Sequence, residues 1–490
     1  MLSLLVWLVE FVFRNAYLVI FILNFILGAT IIFREHKKTA STWAWLLLLI
    51  FLPIVGFILY LFLGRGISKD RLFDLKIQQR IGKLEELQKQ EEELENERLP
   101  SPPTGSVDAK SLIYMITKQE GSFYARQADI QLFCDGQEKF DALIEDIRQA
   151  KHHIHLEYYI FRMDNLGCKI YTELLAARKR GVEVRCIFDA WGSHNLKRKN
   201  FRELEKLGGD VLFFFPVFHP WLSPRLNYRN HRKIVVIDGL IAYTGGFNVG
   251  DEYLGKVKKF GYWRDNHLRL TGENVYSLQN RFIMDWNSQH LNEISDPTCY
   301  FPPLEYEGNM NAQVVTSGPD SDVEKIKMTY LKMIMLAKKE ILIQTPYYIP
   351  DEAIHEALKT ALASGIRVQL QIPNKPDHML VYWATYSFAA ELVSYGAYVE
   401  TYEKGFLHAK TMIIDGGLAS VGSANIDNRS FQLDFEVNTI IYDEEMAQKI
   451  RLAFFKDSLD CKRLTQELYD ERNAFIRIKE GLGRLISPLL

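Results

Sequence analysis

The alternation of apolar and polar stretches divides the chain into three kinds of segment. Near the N-terminus, Tyr17 to Phe33 carries Asn24 as its one strongly polar residue, and Trp43 to Phe62 is interrupted only by Pro53 and Gly56. Roughly 17–25 apolar residues cross a hydrocarbon core of about 30 Å, so both runs are predicted to be transmembrane helices. The short polar stretch Arg34-Glu35-His36-Lys37-Lys38-Thr39 between them makes residues 1–66 a membrane hairpin with both flanks on one side. The run Leu4 to Phe13, with Glu10 and Arg14, is too short to span and is read as interfacial. Residues 67–109 then turn to Lys, Arg, Glu and Gln and close on Ser101-Pro102-Pro103, the pattern of a solvated helical linker.

From residue 110 onward, helical and strand-like patterns alternate, which predicts α/β sheets with helices on their faces. The region reads as two weakly similar halves, 110–300 and 301–490. Ala150-Lys151 precedes the apolar run His155 to Phe161, and Ala337-Lys338 precedes Ile341 to Ile349. About twenty residues later, a helical pattern ends at Gly181 or Gly365 and an alternating strand begins. Two tandem α/β domains meeting at one shared interface are therefore expected.

Charge and cysteine usage narrow the function classes. The formal net charge of −2 provides no broad positive field for nucleic acid. Five scattered cysteines, with no C-x-x-C pair, argue against a disulfide framework or a zinc site and for buried, reduced thiols. The histidines at 152, 153 and 155 have no carboxylate or cysteine at ligand spacing and are read as structural. Basic residues flanking the hairpin, Arg65, Lys69, Arg71, Lys76, Arg80 and Lys83 against Arg34, Lys37 and Lys38 in the turn, place the body on the cytoplasmic side of a cell membrane.

The chemistry-bearing repeat lies later in each half. The first copy is Asn230-His231-Arg232-Lys233-Ile234-Val235-Val236-Ile237-Asp238-Gly239; the second is Leu407-His408-Ala409-Lys410-Thr411-Met412-Ile413-Ile414-Asp415-Gly416. Both read H-x-K-x-x-x-x-D. The likeness runs on through Gly245-Gly246-Phe247-Asn248 and Gly422-Ser423-Ala424-Asn425, with 17 residues from histidine to asparagine in each copy. On a strand, positions i and i+2 share a face, so His231 pairs with Lys233 and His408 with Lys410. An imidazole beside an ammonium suits a phosphodiester: the ring attacks phosphorus or carries a proton, and the lysine offsets oxyanion charge. Asp238 and Asp415 lie an odd number of positions from their histidines, so they are expected to face away from the phosphate and form structural ion pairs.

This duplicated motif resembles that of the phospholipase D superfamily, over about residues 110 to 490. The N-terminal hairpin, Thr345-Pro346-Tyr347-Tyr348-Ile349-Pro350 and the terminal Ser487-Pro488-Leu489-Leu490 are similar to bacterial cardiolipin synthases in particular. The resemblance implies phosphatidyl transfer between two phosphatidylglycerols, releasing glycerol, at one site shared by both domains. It implies a catalytic set of His231, Lys233, Asp238, His408, Lys410 and Asp415, with His231 as nucleophile and His408 as acid/base. Asn248, Asn425 and Ser423 would bind the phosphate, and Asp265 and Glu436 would orient the histidines. No metal or cofactor is implied. The partners are phosphatidylglycerol and the bilayer rather than nucleic acid, and the oligomeric state stays open. A hydrolytic phospholipase D and a membrane-bound nuclease are the alternatives.

The acid offsets within each half differ: Asp265 follows His231 by 34 residues and Glu436 follows His408 by 28, pointing to an insertion near Lys256 to Lys259. Phe218, Trp221 and Leu222, together with Met379 to Phe388, are candidate lipid contacts. Arg225, Arg229 and Lys404 are candidates for a second lipid phosphate.

Overall fold

The computed structural model describes residues 16–33, 39–60, 83–96, 102–216, 227–289, 293–304, 308–321 and 323–487. The described residues fall into two compact units, an N-terminal helical unit and a larger α/β body.

The helical unit contains α1 (Ala16–Phe33), α2 (Thr39–Phe51) and α3 (Pro53–Leu59). The second apolar run is not one helix. Pro53 has no N–H to give Leu49, and it forces Leu52 out of the helical region to φ −130°, ψ 66°. Asn24, the polar residue of α1, fills the gap: its Nδ2 donates to Leu49 O at 3.3 Å and Pro53 O at 3.0 Å. Trp45 packs edge-on against Tyr60 at 5.3 Å, while Phe21, Phe25, Phe33, Ile50 and Phe51 face outward. Among the described residues no helix is long and apolar enough to cross a membrane. The 18 residues of α1 reach about 27 Å at 1.5 Å each, short of a core of about 30 Å. The expected pair of continuous spans, Tyr17–Phe33 and Trp43–Phe62, is thus replaced by one helix and a divided second segment.

The expected solvated linker also differs. Its helix α4 (Lys83–Glu95) docks on the body: Leu87 is buried, and the Gln90 amide exchanges hydrogen bonds with the Tyr124 backbone at 2.8 and 2.9 Å. Lys118 ties down Glu91 at 2.7 Å and Glu95 at 3.1 Å. Helix Lys110–Glu120, which the sequence division puts in the first half, packs Leu112, Ile113 and Ile116 into the core of the second.

The body is built on one continuous sheet of sixteen strands among the described residues. The first half supplies β1 (Ala125–Phe133), β2 (His153–Tyr158), β3 (Glu183–Asp189), β4 (Asp210–Phe214), β5 (Ile234–Ile237), β6 (Ile241–Gly245) and β7 (His267–Thr271). The second supplies β8 (Met310–Ser317), β9 (Glu340–Gln344), β10 (Arg367–Pro373), β11 (Tyr398–Tyr402), β12 (Thr411–Ile414), β13 (Leu418–Gly422), β14 (Asp434–Ile441) and the edge strand β15 (Cys461–Leu464). Their order is β15-β11-β10-β9-β12-β13-β14-β8-β1-β7-β6-β5-β2-β3-β4, so the halves mirror each other about the antiparallel β1–β8 junction. Strand Arg229–Asn230 pairs with β14 off this path. β5 and β12 are buried along their whole length, which is why they read as unbroken apolar runs. Cys186 is a buried thiol as expected, whereas Cys168 and Cys299 are exposed.

The aspartate that closes each motif sits in the β5–β6 or β12–β13 turn in the left-handed region, with φ 57° at Asp238 and 51° at Asp415. Neither makes the expected ion pair among the described residues. The Asp238 carboxylate accepts from the backbone N–H groups of Lys151, His152 and His153 at 2.7–3.0 Å. Asp415 accepts from those of Lys338, Lys339 and Glu340 at 2.8 Å. Each therefore pins its turn to the start of β2 or β9, and neither carboxylate is aimed at the histidine pair. Asp238→Ala would remove three hydrogen bonds to a carboxylate, two of them at exposed residues that water can serve, and is expected to cost about 1–2 kcal/mol. Thermal unfolding of the purified variant should show a drop of several degrees. An unchanged midpoint would show that the clamp contributes nothing.

Candidate active site

Each motif enters the site on a two- or three-residue strand that pairs, in parallel, with the opposite half. Arg229–Asn230 lies beside Asp434–Phe435 of β14, and Gly405–Leu407 lies beside Tyr262–Arg264. The pairing runs one residue further, through His231 N–H to Phe435 O at 2.9 Å and His408 N–H to Arg264 O at 2.7 Å. The next residue along each partner is an acid, and it meets the histidine ring. His408 Nδ1 is 2.6 Å from Asp265 Oδ2. His231 Nδ1 is 3.2 Å from Glu436 Oε1 and 3.8 Å from Asp434 Oδ2. The acids therefore cross over: Asp265 of the first half serves the second histidine, and Glu436 serves the first. Offsets counted within each half, as on the sequence, join the wrong partners.

The lysines reach the site differently from expectation. The regular strands begin only at Ile234 and Thr411, so His231–Lys233 and His408–Lys410 precede them. Each ammonium folds back onto the carbonyl of its own histidine, Lys233 Nζ to His231 O and Lys410 Nζ to His408 O, both at 2.5 Å. Both lysines are buried and both rings are partly exposed.

Among the phosphate candidates, Ser423 is committed elsewhere. Its Oγ donates to Glu436 Oε2 at 2.5 Å and accepts from Val437 N–H at 3.0 Å, so it steadies the acid rather than waiting for a phosphate. Its counterpart Gly246 is required by the equivalent contact, because a Cβ there would lie 1.9 Å from Asp265 Oδ1. Asn248 is buried, with Oδ1 accepting from Ile160 N–H at 3.1 Å. Asn425 is also buried, and its Oδ1 has no partner among the described residues. Arg229 is buried over the Trp191 ring, and Lys404 is paired with Asp460 at 3.1 Å. Arg225, Phe218, Trp221 and Leu222 lie outside the described residues. The histidines at 153 and 155 are buried around the Gln279 amide, at 2.9 and 2.8 Å.

A family model described as cardiolipin synthase, PLD-like domain, matches residues 143–286 and 330–458, more than half of the chain. This chain belongs to the PLD-like cardiolipin synthase family. A second model, described as phospholipase D-nuclease N-terminal, matches residues 18–65. The chain is 49% identical over 473 residues to a cardiolipin synthase of Listeria welshimeri, covering 96% of this chain and 98% of that protein. It is 48% identical over 471 residues to the major cardiolipin synthase ClsA of Bacillus subtilis strain 168, with the same coverage. The crystal structure of a phosphatidylserine synthase from Haemophilus influenzae shares the fold at a TM-score of 0.57 and 17% identity, covering 78% of this chain and all of that one.

Several residues that build the site were not singled out in the sequence. The Tyr159 ring lies 4.0 Å from that of His231, and Trp263 lies 5.2 Å from His408. Asp434 was within reach of sequence reasoning, since it stands two positions before Glu436 and so shares its face. Two buried arginines brace the acids from behind. Arg232 donates to Glu436 O at 3.2 Å while gripping both oxygens of Asp285 at 2.7 and 2.8 Å. Arg264 donates to Asp265 O at 2.5 Å while paired with Asp457 at 2.8 Å. Nothing in the motif spacing announces these clamps, because the second copy has Ala409 where the first has Arg232.

Burial sets the electrostatics. It holds His231 down to about 3 and His408 to about 4, with Lys233 and Lys410 adding to the depression of both. It lowers Lys410 to about 7 and lifts Glu436 to about 7 and Asp434 to about 6. Near neutral pH burial therefore favours the uncharged form of both rings. Nδ1 of His231 and one oxygen each of Asp434 and Glu436 lie within 4.8 Å of one another, close enough for a metal ion. Lys233, Arg429 and Lys410 all act on the same ring, however, and their positive charge opposes a divalent cation there. Because the folded-state values lie below the ordinary 6.5, the neutral rings favour the fold above pH 6.5, and that contribution is lost as pH falls towards 4 and then 3. Histidine-selective NMR should accordingly find both rings unprotonated at about pH 5. A ring titrating with a midpoint near 6.5 would show that its surroundings do not depress it.

Proposed function

We propose that the chain is a cardiolipin synthase that moves a phosphatidyl group from one phosphatidylglycerol to another. The observation that carries this reading is the pair of crossed imidazole–carboxylate dyads, one from each motif, each with a buried lysine folded onto the carbonyl of its histidine. Such a pair is what double displacement at a phosphodiester needs. His231 Nε2 attacks phosphorus and the bond to the headgroup glycerol oxygen breaks. The departing glycerol takes a proton from Nε2 of His408, whose ring is in its imidazolium form for this step, favoured by the bound anionic phosphate and by Asp265 at Nδ1. His408 then takes the proton from a headgroup hydroxyl of a second phosphatidylglycerol. That oxygen attacks phosphorus, the P–N bond breaks, and His231 returns to its starting state. Lys233 and Lys410 offset charge on the non-bridging oxygens, and Asn248 and Asn425 bound the phosphate. His231 is assigned as nucleophile because two acids, Glu436 and Asp434, face its Nδ1 and support the charge of a phosphorylated ring. Asp265 holds His408 in the tautomer that presents Nε2.

The helical unit is proposed to attach the body to a cell membrane. Its outward Phe and Ile side chains, and the Asn24 amide N–H groups that donate within the unit, suit a lipid environment, and the basic residues after the hairpin favour a cytoplasmic body. Anchoring beside the bilayer raises the effective concentration of two lipid substrates.

Expression in a host without cardiolipin, followed by lipid mass spectrometry, tests the function. Cardiolipin is expected, and phosphatidic acid alone would identify a hydrolase. His231→Ala and His408→Ala should each lower turnover by about 10³-fold or more. Labelled lipid added to the His408→Ala protein should leave an acid-labile label on His231; labelling of another residue would reverse the assignment. EDTA should leave turnover intact. Loss of activity restored by one stoichiometric divalent ion would replace the metal-free route with one using His231, Asp434 and Glu436 as ligands.

A further inference from the structure

The body carries an apolar surface that the active site does not use. The C-terminal helix Ala474–Ile486 buries Glu480 and Gly483, with Gly483 packed closely on helix Met379–Ser394: a Cβ at 483 would lie 3.0 Å from Ala384 N, a tight contact. Its other face is exposed and apolar. Phe475, Ile478, Leu482 and Leu485 are 64, 67, 50 and 76% exposed, at intervals of three, four and three residues that align them in one stripe. Met379 and Leu380 of the neighbouring helix are exposed too, and Leu380 O lies 3.3 Å from the same Gly483 position. Cations flank the stripe. Arg477 lies on one side with Arg484, which pairs with Glu391, and Lys479 lies on the other, 4.1 Å from the Phe475 ring and 4.9 Å from the Trp383 ring. The acid of this helix, Glu480, is turned inward and held by Arg472.

We propose that this helix is a second membrane contact, lying in the plane of an anionic bilayer with its stripe among the acyl chains and its flanking cations at the headgroup phosphates. Its 13 residues reach only about 20 Å, too short to cross a bilayer but suited to lying along its surface. The same spacing would fit a partner helix. The cationic flanks and inward acid favour an anionic lipid surface, and such a surface is where the proposed substrate resides. The inference rests on the lipid reading of the site above. Its effect would be to restrict the height and tilt of the body at the bilayer.

The test uses the full chain in phosphatidylglycerol–phosphatidylcholine vesicles. The exposed thiols Cys168 and Cys299 are changed to serine, and an environment-sensitive dye is attached through Ile478→Cys or, as a control on an exposed edge strand, Lys462→Cys. The dye at 478 should emit to the blue and be quenched by lipids carrying nitroxides on their acyl chains, while the dye at 462 should do neither. No quenching at 478, or quenching equal to that at 462, overturns the proposal. So does a blue shift without lipid quenching, which would mark a protein partner or a second copy. Phe475→Ser/Ile478→Ser/Leu482→Ser should lower the initial rate on vesicles about threefold or more, yet leave the rate on short-chain lipid in detergent within about twofold. Equal loss on both substrates would mean that the stripe supports the fold. Quenching without any cardiolipin formed keeps this contact and removes the catalytic reading; cardiolipin without quenching does the reverse.

Discussion

The exchange of short parallel strands between the halves is the constraint on which the site depends. Arg229–Asn230 and Gly405–Leu407 each borrow the hydrogen-bonding edge of the opposite half, and that borrowing brings Glu436 to His231 and Asp265 to His408. A buried carboxylate without a partner is costly, so each half depends on the other to satisfy the charges it buries. The sheet runs from one half into the other through β1 and β8, so both halves share one hydrogen-bonded frame. One half alone would have a histidine without its acid and an acid without its histidine.

Around this exchange the charges are held by groups set behind the two dyads. Asp285 and Asp457 sit on the corresponding helices Asn274–Asn287 and Glu444–Ser458, and each anchors an arginine that grips the main chain of a site acid. The motif aspartates work in the same way one layer further out, fixing the turn after each motif strand through backbone amides. Residues of the same motif thus divide by position: histidine and lysine at the strand entrance gather beside the crossed acids, and aspartate at the strand exit holds the frame. In the low-dielectric interior this matters, since a small displacement of an unscreened charge changes the balance that keeps both imidazoles neutral.

The two apolar features outside the site follow the same rule of partner satisfaction. In the helical unit, Pro53 removes a backbone donor and Asn24 restores it from a neighbouring helix. On the C-terminal helix, Gly483 permits the close packing that turns Glu480 inward and leaves Phe475, Ile478, Leu482 and Leu485 facing out.

The α/β alternation, the duplicated H-x-K-x-x-x-x-D and the matched glycine and asparagine spacing were legible in the chain itself. They depend on strand period, helix stops and residue chemistry, which are local. His231, Lys233, His408 and Lys410 could be named on that basis, whereas Asp265 and Glu436 came from the family resemblance, and the ion pairs expected of Asp238 and Asp415 are replaced by backbone contacts. Which acid meets which histidine was not legible, because the pairing joins residues about 140 to 200 positions apart across an interface that no local pattern encodes. The commitment of Ser423 to Glu436, the Arg232 and Arg264 clamps and the docking of α4 were likewise decided only by the tertiary structure. A side chain's type limits what it can bind, but its partner is chosen by the backbone that the rest of the fold places beside it.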